Sequence, residues 1–110
     1  MINDISVSNK TVSNYFEKLV NRFFKVLPIR EDGEKTLPIY IRSLQSEIVG
    51  CKEVVDKLDN NPDILTLISI LQFMLDNPDT SVADVKREVF RAIAICNRLK
   101  SEFGDEDGGD

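Results

Sequence analysis

Residues 37–58 read LPIYIRSLQSEIVGCKEVVDKL, and their apolar positions Leu37, Ile41, Leu44, Ile48, Cys51, Val55 and Leu58 recur at steps of 4-3-4-3-4-3. A seven-residue apolar repeat held over three heptads places one narrow seam along an α-helix, the pattern by which helices pack side by side in bundles and coiled coils. Tyr40 and Val54 widen the seam. Thr36 ahead of Pro38 marks a helix start, because proline fits the first helical turn, where its missing N–H costs no hydrogen bond. The spacing therefore predicts a helix over about 37–59. Gly50 within it lowers helix propensity by roughly 1 kcal/mol relative to alanine, which marks either a plain tolerance or a close approach of another backbone.

Toward the N-terminus, Val12, Tyr15, Phe16, Leu19, Val20, Phe23, Phe24 and Leu27 form a broad apolar face at the helical period, with Glu17, Lys18, Arg22 and Lys25 opposite. A helix over about 9–27 follows, ended by Pro28 and by a polar loop from Arg30 to Lys35 with a turn at Gly33. Residues 1–8 show no sustained period and are expected to fray.

Toward the C-terminus, Asn61 and Pro62 suit the cap and first position of a third helix over about 62–76. Its stretch from Ile64 to Leu75 carries no charge, and its polar side chains are Thr66, Ser69 and Gln72. The run ILTLISIL resembles a strand in isolation, but its leucine content and proline start favour helix. Ser81, three residues before Asp84, resembles a capping box. Val82, Val85, Val89, Ala92, Cys96, Leu99 and Phe103 then step by 3-4-3-4-3-4, predicting a fourth helix over about 81–103 that stops at Gly104. Residues 105–110 are acidic and glycine-containing, and are expected to be a disordered tail. The fold class is all-α, a single-domain antiparallel four-helix bundle.

A chain of 110 residues suits one domain. The formal charge of -5 comes from 19 acids and 14 bases, four of the acids lying in the last six residues, so the body is nearly neutral. That balance argues against a continuous acidic field mimicking nucleic acid. From Lys10 to Arg30 there are five bases and one acid, whereas Glu47 to Asp79 holds seven acids and two bases, a polarity that suits pairing of one segment with another. No apolar run approaches the roughly 20 residues of a membrane-spanning helix, and the first residues lack the pattern of a signal peptide, so a cytoplasmic protein is expected.

The absence of histidine removes His-based acid–base catalysis, Cys/His zinc sites and di-metal sites of the Glu-x-x-His kind. Cys51 and Cys96 match no metal or redox spacing, and both fall on apolar stripes as small hydrophobes. Glu53 and Asp56, with Glu47 six residues before Glu53, are the pair that would suit a carboxylate-bound magnesium hydrolase, the one enzymatic exception; the only candidates for the second pair it needs, Asp84 and Glu88, are explained by ordinary surface pairing. No catalytic residue, metal or cofactor is expected.

Two surfaces remain for function. The uncharged third helix is costly to leave in water, so Leu67, Ile70, Leu71, Phe73 and Met74 are the expected partner interface, with homodimerisation first and another protein second. The function so predicted is non-catalytic protein–protein binding, as an adaptor, inhibitor or immunity-type accessory protein. The alternative is a nucleic-acid-associated regulatory subunit using two basic stripes at helical spacing, Lys18, Arg22 and Lys25 on the first helix and Arg87, Arg91 and Arg98 on the fourth. Exposed aromatic residues do not accompany the stripes in the pattern, where Tyr15, Phe16, Phe23 and Phe24 all fall on the buried side.

Overall fold

The computed structural model describes residues 9–32, 35–55, 58 and 61–108. They form α1 (Asn9–Phe24), α2 (Val26–Glu31), α3 (Leu37–Val54), α4 (Pro62–Asp76) and α5 (Val82–Gly108), with no strand among the described residues. The all-α class holds, including the strand-like run of α4. Residues 1–8, 33–34, 56–57, 59–60 and 109–110 lie outside the described residues.

Side-chain contacts fix the directions of the helices. Ser13 at the start of α1 donates to the Lys100 carbonyl late in α5 at 3.1 Å, while Phe24 at the other end of α1 meets Phe90. Tyr40 and Glu47 of α3 both bind Arg22 of α1. Gln45 of α3 donates to the Ile68 carbonyl and to Gln72 of α4, and Asp63 at the head of α4 binds Arg98 of α5. Sequence neighbours among the long helices thus run antiparallel, and α1 against α5 is the most extensive pair.

The core follows the apolar steps. Val12, Phe16, Leu19 and Phe23 of α1, Ile41, Leu44 and Ile48 of α3, and Val85, Val89, Ala92, Cys96 and Leu99 of α5 are all buried. Phe16 stacks on Phe103 with ring centroids 6.3 Å apart, which joins the first apolar turns of α1 to the last of α5. Gly50 has nothing within 4 Å of where a Cβ would sit, so it marks no close backbone approach.

Helix ends follow the expected chemistry at α4, where the Asn61 side chain accepts from the N–H groups of Asp63 and Ile64 at 2.8 and 3.3 Å. Ser81 accepts from the Asp84 N–H at 3.1 Å, but the Asp84 carboxylate pairs with Arg87. Thr36 precedes α3 in a helical conformation, and its hydroxyl caps nothing.

Three boundaries differ from the periodicity. The first apolar stretch breaks at Lys25 and not at Pro28, which lies in the first turn of α2, where an N–H has no intrahelical acceptor and its loss is harmless. α3 ends at Val54 and not near 59, because Val55 turns extended at φ -99° and ψ 109°, and Leu58, whose N–H donates to the Val55 carbonyl at 2.9 Å, is buried in the core. α5 passes Gly104 and runs to Gly108, where a disordered tail from 105 was expected. Glycine permits a left-handed stop without forcing one, and a helical glycine only weakens the helix by about 1 kcal/mol.

Candidate functional site

The expected interface on α4 is largely interior. Leu67, Ile70, Leu71 and Met74 belong to the core of the single chain, and of the five residues only Phe73 is exposed, at 42%. The physical reason is the position of α4, which packs against α3 and α5 at once and spends its uncharged face within the molecule. Leu65 is the other large apolar side chain of α4 left open. The polar stripe is partly tied down, since Gln72 accepts from Gln45 and donates to Asp76.

The basic stripes are mostly neutralised. Arg87 pairs with Asp84 at 3.1 Å, Arg91 with Glu88 at 2.9 Å, and Arg98 binds Asp63 through two parallel bonds of 2.6 and 3.1 Å. Arg22 bonds Glu47, and its Nε donates to the Tyr40 hydroxyl, which itself donates to the Arg22 carbonyl at 2.8 Å. That ring also faces the guanidinium at 5.5 Å, and the bond to Tyr40 leads the groups that raise the Arg22 pKa. Lys18 and Lys25 are exposed and form no ion pair among the described residues.

An aromatic pair joins α1 to α5 at the surface, contrary to the expectation that Phe24 is buried. Phe24 and Phe90 meet edge to face with centroids 5.8 Å apart, yet remain 41% and 43% exposed. The Lys86 ammonium sits 6.0 Å from the Phe90 ring centre, and Val82, one helical turn before Lys86, is also exposed. Phe24 is displaced from the core because eight apolar residues cover more of α1 than its neighbours can cover. The signal was present in Phe90, a large aromatic lying off the apolar steps of α5.

A cavity of about 360 Å³ opens at one end of the bundle, a volume within the range of small-molecule sites. Its apolar wall comes from Leu37, Pro38 and Ile41 of α3, Met74 and Leu75 of α4, and Val85 of α5. Arg30 and Lys35 line it with Asp79. Arg30 is held in place by a 2.8 Å bond from Nη2 to the Thr80 carbonyl, while its Nε is buried with no acceptor among the described residues. Nothing in the periodicity announces this cavity, which depends on how far four separate segments stand apart.

The remaining candidates offer little reactive chemistry. Both cysteines are free thiols. Burial pushes the Cys96 thiol up to about 12, and burial also raises Cys51, so both stay protonated at neutral pH and are weak nucleophiles. The Tyr15 hydroxyl lies buried beside Cys51 and Glu47, and burial raises its pKa, with Cys51 and Glu47 adding to the effect. Glu47, Asp84 and Glu88 are engaged with arginines, Asp56 lies outside the described residues, and no three Cys, Asp or Glu side chains converge among the described ones. No helix among the described residues is long and apolar enough to cross a membrane. Comparison of the chain with protein-family models, with curated proteins and with solved structures finds no match in any of the three.

Proposed function

We propose that this protein is a non-catalytic binding module that engages another protein through the α1–α5 face centred on Phe24 and Phe90. The observation that carries the proposal is the aromatic pair itself, ordered edge to face but more than 40% exposed on both rings. Aromatic side chains held rigid at a surface are favoured interface anchors, because they bury much area and lose little side-chain entropy on binding. Lys86 stands over the Phe90 ring and the exposed Lys25 follows Phe24 in the chain, neither with a carboxylate partner among the described residues, so the complementary surface is acidic.

A second copy of the chain fits this face less well, since two-fold pairing would bring the same lysines toward each other. Nucleic acid has less support too. Four of the six stripe bases are already paired with carboxylates, which leaves few cations to displace counterions from phosphates. The two free thiols support work in a reducing compartment such as the cytoplasm.

The test is affinity capture from the source cell on the wild-type chain and on the Phe24→Ser/Phe90→Ser variant in parallel, with light scattering of both. A protein retained by the wild type and lost by the variant is the expected result. Identical retained sets from the two folded proteins would overturn the proposed face, and a wild-type dimer that the variant abolishes would make the occupant a second copy.

A further inference from the structure

We propose that the cavity between α2, the start of α3, the end of α4 and the start of α5 binds a small amphiphile with an apolar body and a single carboxylate. The apolar body is matched by the wall of Leu37, Ile41, Met74, Leu75 and Val85, which leaves a space of about 360 Å³. Contacts with such a wall supply affinity for an alkyl or aryl group, and a few polar groups then fix its orientation.

The headgroup follows from the groups that share the lining. Among the described lining residues, Arg30 and Lys35 stand against Asp79, two bases to one acid, an excess of one positive charge. A singly charged carboxylate balances it, whereas a dianionic phosphate would leave a surplus negative charge beside Asp79. Arg30 is the orienting group. Its Nη2 is anchored to the turn that joins α4 to α5, and its buried Nε lacks an acceptor among the described residues. A guanidinium held at the wall offers a carboxylate a charge-assisted pairing that a neutral headgroup does not receive. The start of α3 adds to the same polarity, because Leu37 and Pro38 begin an 18-residue helix with no acidic residue in its first turn and no side-chain cap.

This site is independent of the Phe24–Phe90 face, and its test uses the full chain alone. Amide signals are followed by NMR during titration with octanoate, 1-octanol and octyl phosphate. Saturable shifts at Leu37, Ile41, Leu75 and Val85 are expected with octanoate, with octanol weaker by about tenfold or more through loss of the charge-assisted bond. Arg30→Gln is expected to weaken octanoate by a similar factor. Should that variant lose its fold with its bond to Thr80, the exposed Lys35→Gln decides, with a severalfold loss expected. The proposal is overturned by any one of four results: no saturable shift at these amides, octanol binding as tightly as octanoate, octyl phosphate binding far more tightly, or octanoate affinity unmoved in a folded Arg30→Gln or Lys35→Gln protein.

Discussion

Phe24 on α1 and Phe90 on α5 lie edge to face, 5.8 Å apart at an interplanar angle of 81°, although each is more than 40% open to solvent. The contact ties one end of α1 to α5, as the stacked Phe16 and Phe103 tie the other. A double-mutant cycle with Phe24→Leu and Phe90→Leu should give a coupling of about 0.5–1.5 kcal/mol in urea unfolding, the range for such ring pairs. A coupling indistinguishable from zero would mean that the rings do not hold each other in solution.

On α4, glutamate substitutions should divide by burial. Leu67 is fully buried and Ile70 is 2% exposed, so Leu67→Glu or Ile70→Glu forces an unpaired carboxylate into the core. Each should cost at least about 3 kcal/mol. Leu65→Glu and Phe73→Glu, on the open side, should each cost less than about 1 kcal/mol. Circular dichroism across a urea series measures both, and a folded Leu67→Glu protein with changed molar mass would return the buried face to an interface between chains.

Gly50→Ala should stabilise the protein. With open space where the methyl group would sit, the change gains helix propensity and narrows the unfolded ensemble, for a total of about 0.5–1 kcal/mol. The midpoint of thermal unfolding should rise by a few degrees, and a fall would mean that the space is filled in solution.

Stability should decline in alkali. The Cys96 thiol ordinarily titrates near 9, and burial raises it to about 12 in the folded chain. Below pH 9 both states hold the proton and the group has no effect. Between 9 and 12 only the unfolded chain releases it, so folding stability falls as pH rises, by up to about 1.4 kcal/mol per pH unit from this group. Cys51 and Tyr15 shift in the same direction and steepen the loss. Urea unfolding from pH 8 to 10.5 should therefore show a smaller slope in Cys96→Ala than in the wild type. Equal slopes would show that Cys96 does not hold its proton in the fold.

Much of the bundle was legible in the chain, because its helices bury the stripes that the period marks. The seam from Ile41 through Ile48 is interior, and Asn61 caps the helix that Pro62 begins. The uncharged face of α4 was legible as something that must be covered. What covers it was not, since a stripe of Leu67, Ile70 and Met74 looks the same whether its cover comes from the same chain or another. The basic stripes likewise revealed their spacing but not their pairing, which joins Arg98 to Asp63 and Arg22 to Glu47 across different helices. Phe24 illustrates a third limit. Periodicity gives the direction in which a side chain points, and the width of the neighbouring helices decides whether anything is there to meet it.

α5 spans 27 residues, or about 40 Å of helix, close to the 44 Å long axis of the molecule, and packs most extensively against α1. During synthesis α1 emerges first among these helices and its chief partner emerges last. Phe16, Leu19 and Phe23 must therefore wait, uncovered, while α2, α3 and α4 leave the ribosome. The apolar face of α1 thus lacks its chief cover until α5 has been made, so chaperones that hold nascent chains should engage α1, and a chain cut short before α5 should aggregate.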